Sequence, residues 1–305
     1  MNNDYSKFYG IKFWPSWLGL GLLRLLSLLP LPVLTLFGYG FGTLAYLLFA
    51  SRRKIALQNL LACFPEKNLP ELKKINFQHF VFIGQAIFTS PINWWSSRQR
   101  FERMVSVTGR EAYDQALADG RNIILLAPHF MAMEISGLYL QAERPMIGMY
   151  QYVKNPLINQ FSLNKRQRFC HGGFMFERKD SLRSILRELN KGLPMQYSPD
   201  QDAMRKGVFV PFFQPLASTT PALGKFAQAT NAVVIPCYSI YKWWGMGYEV
   251  ILGEPIENAA TGDEINDATT MNQAIEALVR QHPSQYLWSH KRFKTRPAGE
   301  PKFYH

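Results

Sequence analysis

Cysteine is scarce. The 305-residue chain holds three, Cys63, Cys170 and Cys237, far apart and odd in number. No CxxC pair and no Cys/His spacing suited to a metal exists, which argues against a disulfide framework and a structural zinc site. Reduced thiols in a reducing compartment are the expectation, and the adjacent Cys170-His171 pair is read as incidental. Acidic residues are also in deficit, 22 Asp+Glu against 34 Lys+Arg, for a formal charge of +12. Such a chain attracts anionic partners: nucleic acid, an anionic bilayer or an acidic protein. Charge alone does not choose among them. GxGxxG, a Walker loop, a G-x-S-x-G elbow and HExxH are all missing, so nucleotide cofactors, serine-hydrolase chemistry and a zinc protease site have no support. No internal repeat or low-complexity tract is present, and 14% aromatic content argues against disorder.

The first fifty residues lack charge. From Phe13 to Ala50 the only charged residue is Arg24. Leu31–Ala50 is an uncharged run long enough to cross a hydrocarbon core of ~30 Å as a helix. Trp14–Leu29 is interrupted by Arg24, which can snorkel to headgroups from a helix lying in the interface. Pro30 and Pro32 separate the two runs, and Trp14 and Trp17 suit an interfacial belt. A single span and a pair of bilayer-docked helices are both compatible with this pattern, as is a buried core pair. Arg52, Arg53 and Lys54 follow at once, which places the bulk of the chain on the cytoplasmic side. The expected division is residues 1–50 as membrane anchor or docking helices and 51–305 as a cytoplasmic catalytic domain.

Beyond that segment the texture alternates. Helices are expected over Arg52–Cys63, from Pro70 toward Thr89, and over Glu111–Asp119, Ala132–Gln141, Pro156–Phe169, Ser181–Asn190, Pro221–Ala229 and Thr269–Gln281. Strands are expected over Asn122–Ala127, Pro145–Gln151, Pro194–Tyr197, Ala232–Ile240 and Tyr248–Leu252. The last two would form a hairpin around Gly245–Gly247. Strands alternating with helices indicate an α/β fold, a mostly parallel central sheet flanked by helices.

The sharpest chemical signal is LLAPHFMAMEISG. An apolar strand ends at Pro128, and His129 sits just past it, where open α/β sheets place their ligands. Glu134 follows five residues later, at the start of the next helix. Across such a turn the two side chains can converge as a base and its orienter, with the other imidazole nitrogen facing substrate. Six His and 22 acidic residues in 305 would produce fewer than one such pair by chance. The pair therefore gains its weight from its place at the strand end. A zinc role is a poor alternative, because no other His lies at ligand spacing from His129.

Three further clusters stand out. YSPDQDAMRKGVFVPFF again follows a strand and carries Asp200, Gln201 and Asp202, which could hold a sugar or a metal or form an acidic turn. A basic cluster includes Lys154, Lys165, Arg166, Arg168, Arg178 and Lys179. Its arginines suit phosphate or carboxylate groups, while Lys165 and Lys179 read as a solvated helix face. The third is QYLWSHKRFKTRPAGEP, where aromatics and cations interleave as in RNA binders, though without any RNA-binding signature.

Taken in order, His129-x4-Glu134, KNP, ERKD, SPDQD with VFVPFF, VIP and QYLWSHKRFKTRP resemble the bacterial lipid A late (secondary) acyltransferases. That is the lauroyl/myristoyl transferase family of the lysophospholipid acyltransferase superfamily. The resemblance covers nearly the whole chain, including RRKIALQNLLACFPE. The H-x4-D/E element marks the superfamily, and the PDQD and RFKTRP segments mark the lipid A branch. The glycerol-phosphate branch would show an FPEGTRS-like block where this chain has YSPDQDA. Ala203 departs from the family's common aromatic residue, which bears on acceptor or chain length and not on the reaction. The resemblance implies a glycerol-phosphate-acyltransferase-like fold and no cofactor or metal. It implies acyl transfer from acyl-acyl carrier protein to a hydroxyacyl chain on a Kdo-bearing lipid A precursor, at the inner membrane. His129 would be general base oriented by Glu134. Arg166, Arg168, Arg178, Asp200, Gln201 and Asp202 would serve the acceptor or the site's architecture, and Arg205 with Lys206 would help dock the acidic carrier. Alternatives are another glycolipid or aminolipid acceptor, or a non-catalytic basic protein that binds membrane or nucleic acid.

Overall fold

The computed structural model describes residues 4–169, 172–177 and 180–304. Among the described residues the strands are β1 Val105–Thr108, β2 Ile123–Leu126, β3 Ile147–Tyr150, β4 Phe174–Glu177, β5 Met195–Tyr197, β6 Val208–Pro211, β7 Leu216–Thr219, β8 Val233–Tyr241 and β9 Tyr248–Leu252. Seven of them build one sheet in the order β1-β9-β8-β2-β5-β3-β4, and β6 pairs with β7 in a separate hairpin. All pairings in the large sheet are parallel except β8 with β9. The fold is thus α/β with a mostly parallel sheet, as the sequence indicated. The hairpin around residues 242–247 is present as expected.

The helices are α1 Trp14–Leu26, α2 Leu31–Leu48, α3 Ala50–Cys63, α4 Leu69–Trp95, α5 Arg98–Arg103, α6 Glu111–Ala118, α7 Met133–Glu143, α8 Pro156–Arg166, α9 Leu182–Leu189, α10 Ala222–Thr230 and α11 Glu264–Gln281. Two of them run beyond their expected ends. α4 continues through Pro91 to Trp95. Proline removes the amide that would bond Ile87 O, and the Ser90 hydroxyl donates to that carbonyl instead. α11 begins at Glu264 because Asp263 caps it, accepting from the amides of Ile265 and Asn266. The sequence reading missed β1, β4, β6 and β7, four-residue strands without a long apolar run; β1, β4 and most of β6 are partly exposed, and the buried β7 ends on the polar pair Ser218-Thr219.

The core lies on both faces of the sheet. In β2, Ile124 and Leu126 face the layer of α3, α4, α10 and α11. Ile123 and Leu125 face the opposite layer, with Tyr113 of α6 and Ile135 of α7. Alternate residues point to opposite faces, so a strand covered on both sides must be apolar throughout. Each such side chain contributes about 1.5–3 kcal/mol by leaving water.

α1 and α2 are separate helices. Residues 31–48 have mean hydropathy 1.5 and are long and apolar enough to cross a membrane. α2 packs along α4 through a stripe that includes Leu34, Gly38, Gly42 and Ala45. A β-carbon on Gly84 of α4 would lie 2.0 Å from the carbonyl oxygen of Gly38, so the backbones touch. The opposite face of α2 exposes Leu36, Phe37, Leu44, Leu47 and Leu48, and α1 exposes Leu18, Leu22 and Leu25. Arginines cap the C-terminal carbonyls of these helices. Arg100 donates to Ser27 O and Leu29 O after α1, and Arg53 donates to Tyr46 O at the end of α2. Gly84→Ala is expected to force the two helices apart, at about 1–3 kcal/mol for overpacking, and to lower the unfolding midpoint. Gly40→Ala, with open space around it inside α2, is expected to raise the midpoint slightly, since alanine is favoured over glycine in a helix interior by about 0.5–1 kcal/mol. Thermal unfolding of both variants, followed by circular dichroism, checks this.

Candidate active site

β2 and β5 are adjacent and parallel, with Leu126 beside Tyr197. The Ala127 amide still donates to Tyr197 O at 2.8 Å. Each strand then runs three residues further, one to His129 and the other to Asp200. The two side chains meet there. His129 Nδ1 lies 2.5 Å from Asp200 Oδ1, and the His129 amide donates to Asp200 Oδ2 at 2.8 Å. Asp200 is buried, whereas the His129 side chain keeps 21% exposure. The carboxylate is held well below its usual range. Burial opposes this, and the His129 charge and the hydrogen bonds from His129 outweigh it. The imidazole is raised in turn. Burial pushes it down, and the charge and hydrogen bond of Asp200 push it up further. An ionised Asp200 can only accept, so Nδ1 carries the proton and Nε2 keeps its lone pair.

This corrects the expected pairing. The sequence reading gave the imidazole to Glu134, but the carboxylate bonded to it is Asp200. Glu134, in the first turn of α7, is bound by Arg166 at the end of α8, with Nη2 to Oε1 at 2.5 Å. The two carboxylates near His129 therefore have different partners. Asp200 belongs to the imidazole and Glu134 to a guanidinium about one-third exposed.

The other expected residues divide. Arg168 does not face the site as an anion receptor. It donates to Ser96 O and, at 3.3 Å, to Ser96 Oγ just past α4, and it stacks on Phe169. Burial lowers its pKa to about 10. Gln201 lies half-buried between the two aspartates. Asp202 is buried and acts as a brace. Its amide donates to His290 Nε2 at 3.2 Å, and its Oδ2 accepts from Thr295 Oγ1 at 2.9 Å. Arg178, Lys179, Cys170 and His171 lie outside the described residues. Among the described residues no group of three or more His, Cys, Asp or Glu could hold a metal.

Part of the C-terminal cluster is architecture, while Lys291 and Lys294 stay exposed. Trp288, Arg292 and Phe293 are buried. Arg292 donates to Ser218 O and Thr219 Oγ1, both at 2.7 Å. Phe130 and Tyr286 form an antiparallel bridge. Around it the Leu287 amide donates to His129 O at 3.0 Å, and the Met131 amide donates to Gln285 O at 2.8 Å. This strap fixes the backbone on both sides of the catalytic candidate. Tyr286 is itself held neutral, first by burial and then by the Asp200 charge.

Sequence reasoning missed Asn59, which ties the strap to α3. Its side-chain amide donates to Trp288 O at 2.7 Å and His290 O at 2.8 Å, and its oxygen accepts from the Tyr304 hydroxyl at 2.6 Å. An asparagine inside an apolar helix face was the available signal, since a buried polar group requires partners. Asn59→Leu is expected to strand two carbonyls and a hydroxyl, each costing about 1–3 kcal/mol. It should lower both the unfolding midpoint and the activity, whereas Gln58→Leu on the same helix should change neither. Paired melting and activity measurements check this.

Comparison with known proteins shows the family of the chain. The family model described as bacterial lipid A biosynthesis acyltransferase matches residues 4–295. The lipid A biosynthesis lauroyltransferase of Escherichia coli (strain K12) is 34% identical over 295 residues, covering 96% of this chain and 95% of that protein. The palmitoleoyltransferase of the same strain is 32% identical, with coverage of 96% and 95%. The myristoyltransferase is 28% identical, with coverage of 95% and 90%. The chain belongs to the bacterial lipid A biosynthesis acyltransferases, and it is an acyltransferase.

Proposed function

We propose that this enzyme transfers a fatty acyl chain from acyl-acyl carrier protein to the hydroxyl of a hydroxyacyl chain on a Kdo-bearing lipid A precursor. The reaction takes place at the inner membrane, with the catalytic part on the cytoplasmic side. The observation that carries the reading is the His129–Asp200 pair at the C-terminal ends of two adjacent parallel strands. It fits a general base whose free Nε2 faces substrate and whose developing charge is met by a buried carboxylate.

The steps follow from that geometry. Nε2 of His129 takes the proton of the acceptor hydroxyl as its oxygen attacks the thioester carbonyl. The tetrahedral intermediate collapses with breakage of the carbon–sulfur bond. The imidazolium returns its proton to the departing carrier thiolate. Products are the ester and the free carrier thiol, and no cofactor or metal is required. Asp200 stabilises the imidazolium and fixes the tautomer, the positioning role first expected of Glu134. On this reading the partly exposed Arg166–Glu134 pair orients the acceptor's polar head. Arg205 and Lys206 are exposed just past the Asp202 brace, and their charge suits the acidic carrier.

His129→Ala is expected to lose on the order of 10²–10⁴ in transfer rate while remaining folded; full activity would overturn the assignment. For the wild type, kcat/KM should rise with pH as His129 loses its proton, with the acid limb above the imidazole reference of ~6.5. Asp200→Asn removes the negative charge that raises the imidazole, so its acid limb should move to lower pH while kcat falls. An unmoved limb would remove Asp200 from the positioning role. Arg205→Glu with Lys206→Glu should raise KM for carrier-bound donor and spare acyl-CoA; equal effects on both donors would sink the docking role. Mass spectrometry of lipid A from a strain lacking the protein should show one secondary acyl chain missing. An unchanged lipid A with an altered glycolipid or aminolipid would point to a different acceptor.

A further inference from the structure

The turn joining β8 to β9 has no role in the chemistry described above. β8 passes its partner β2 at Pro236, beside Leu126, and continues five residues to Tyr241. At about 3.3 Å per residue, the turn therefore stands roughly 16 Å beyond the end of β2. That is the same edge of the sheet from which His129 projects. Its tip is apolar and open to solvent, with Trp243 78% and Met246 74% exposed and Trp244 half-exposed. A contiguous exposed apolar patch rimmed by polar groups marks a surface that meets a partner or a membrane.

The tip is also locked to α2. Trp244 stacks on Tyr39 with ring centroids 6.0 Å apart. Gly245, at φ +73°, lies so close to α2 that a β-carbon there would be 2.6 Å from Thr35 Oγ1 and 2.8 Å from Pro32 Cα. The turn and α2 thus share one apolar face drawn from two distant parts of the chain. Cations lie at its rim. A cleft of about 430 Å³ beside the turn is lined by Pro30, Ser97, Gln99, Arg100, Arg103 and Gly247. Arg103 is exposed, and Lys242 opens the turn. Tryptophans at the edge of an apolar face, with arginine and lysine next to them, match the layering of a bilayer interface.

We propose that the β8–β9 turn is a second bilayer contact. On this assignment Trp243, Trp244 and Met246 insert into the same anionic leaflet as the outward faces of α1 and α2, and Arg103 and Lys242 meet lipid phosphates. The proposal rests on the membrane reading above and adds to it a loop from the catalytic sheet. Its consequence is positional. The sheet edge that carries His129 is held against the leaflet, so a lipid acceptor reaches the base without leaving the membrane.

The test uses the full-length protein, with Cys170→Ser to remove one native thiol, in vesicles of phosphatidylcholine and phosphatidylglycerol at 3:1. Three variants, Met246→Cys, Leu44→Cys and Asn190→Cys, each carry an environment-sensitive fluorophore. Asn190 follows α9 on the opposite edge of the sheet. Quenching by spin-labelled lipid and by aqueous iodide is compared. The expected result is that positions 246 and 44 are quenched by the lipid and shielded from iodide, and that position 190 shows the reverse. Shielding at 44 with full iodide access at 246 overturns the turn's role and leaves the membrane reading intact. Iodide access at both positions overturns the membrane reading and the proposal with it.

Discussion

The site depends on the register of β2 against β5. Leu126 lies beside Tyr197, and three residues later His129 meets Asp200. A slip of one residue would turn the side chains of either strand to the opposite face and separate the imidazole from its carboxylate. Much of the surrounding structure holds this register. Tyr286 bridges to Phe130, His290 and Thr295 grip Asp202, and Asn59 ties the whole strap to α3. The conspicuous basic tail of the sequence is therefore mostly a brace around two loop ends.

The same reasoning applies to the positive charge. A formal +12 invites the picture of a basic surface facing an anionic partner. Yet many of the arginines donate to backbone carbonyls: Arg53 and Arg168 at helix ends, Arg100 after α1, and Arg292 at β7. A guanidinium with five donors can satisfy several orphan carbonyls at once. Burial then decides which cations face inward, and the count by itself does not. Cations that reach the surface near the functional edge include Arg103 and Lys242 beside the apolar turn, Arg205 and Lys206 past the Asp202 brace, and Lys291 and Lys294 on the strap.

Legibility varied with the physics of each element. NIILLA was readable as a central strand because both faces of β2 are covered and every residue must be apolar. The strands β1, β4, β6 and β7 were not readable. Four residues are too few for a periodic signal, whether their faces are partly wet, as in β1 and β4, or buried but half polar, as in β7. The start of α11 was missed by five residues because the cap at Asp263 stands before the apolar face begins. At the site, His129 was visible from its place after a buried strand, and the family was visible in the SPDQD and RFKTRP segments. The partner of His129 was not visible, because Glu134 is near in the chain and Asp200 is 71 residues away.

From the sequence alone came the α/β class, the apolar N-terminal pair broken at Pro30 and Pro32, the basic histidine candidate and the acyltransferase family. All of these are local patterns: runs, periods, caps and short motifs. Only the tertiary structure decided that Asp200 and not Glu134 holds the imidazole, that Arg168 caps a helix, and that Arg292 braces the strap beside the site. It also joined the β8–β9 turn to α2 in one apolar face. Those outcomes depend on which strands become neighbours and at what register, a choice made by the packing of the whole core, which no short stretch of sequence encodes.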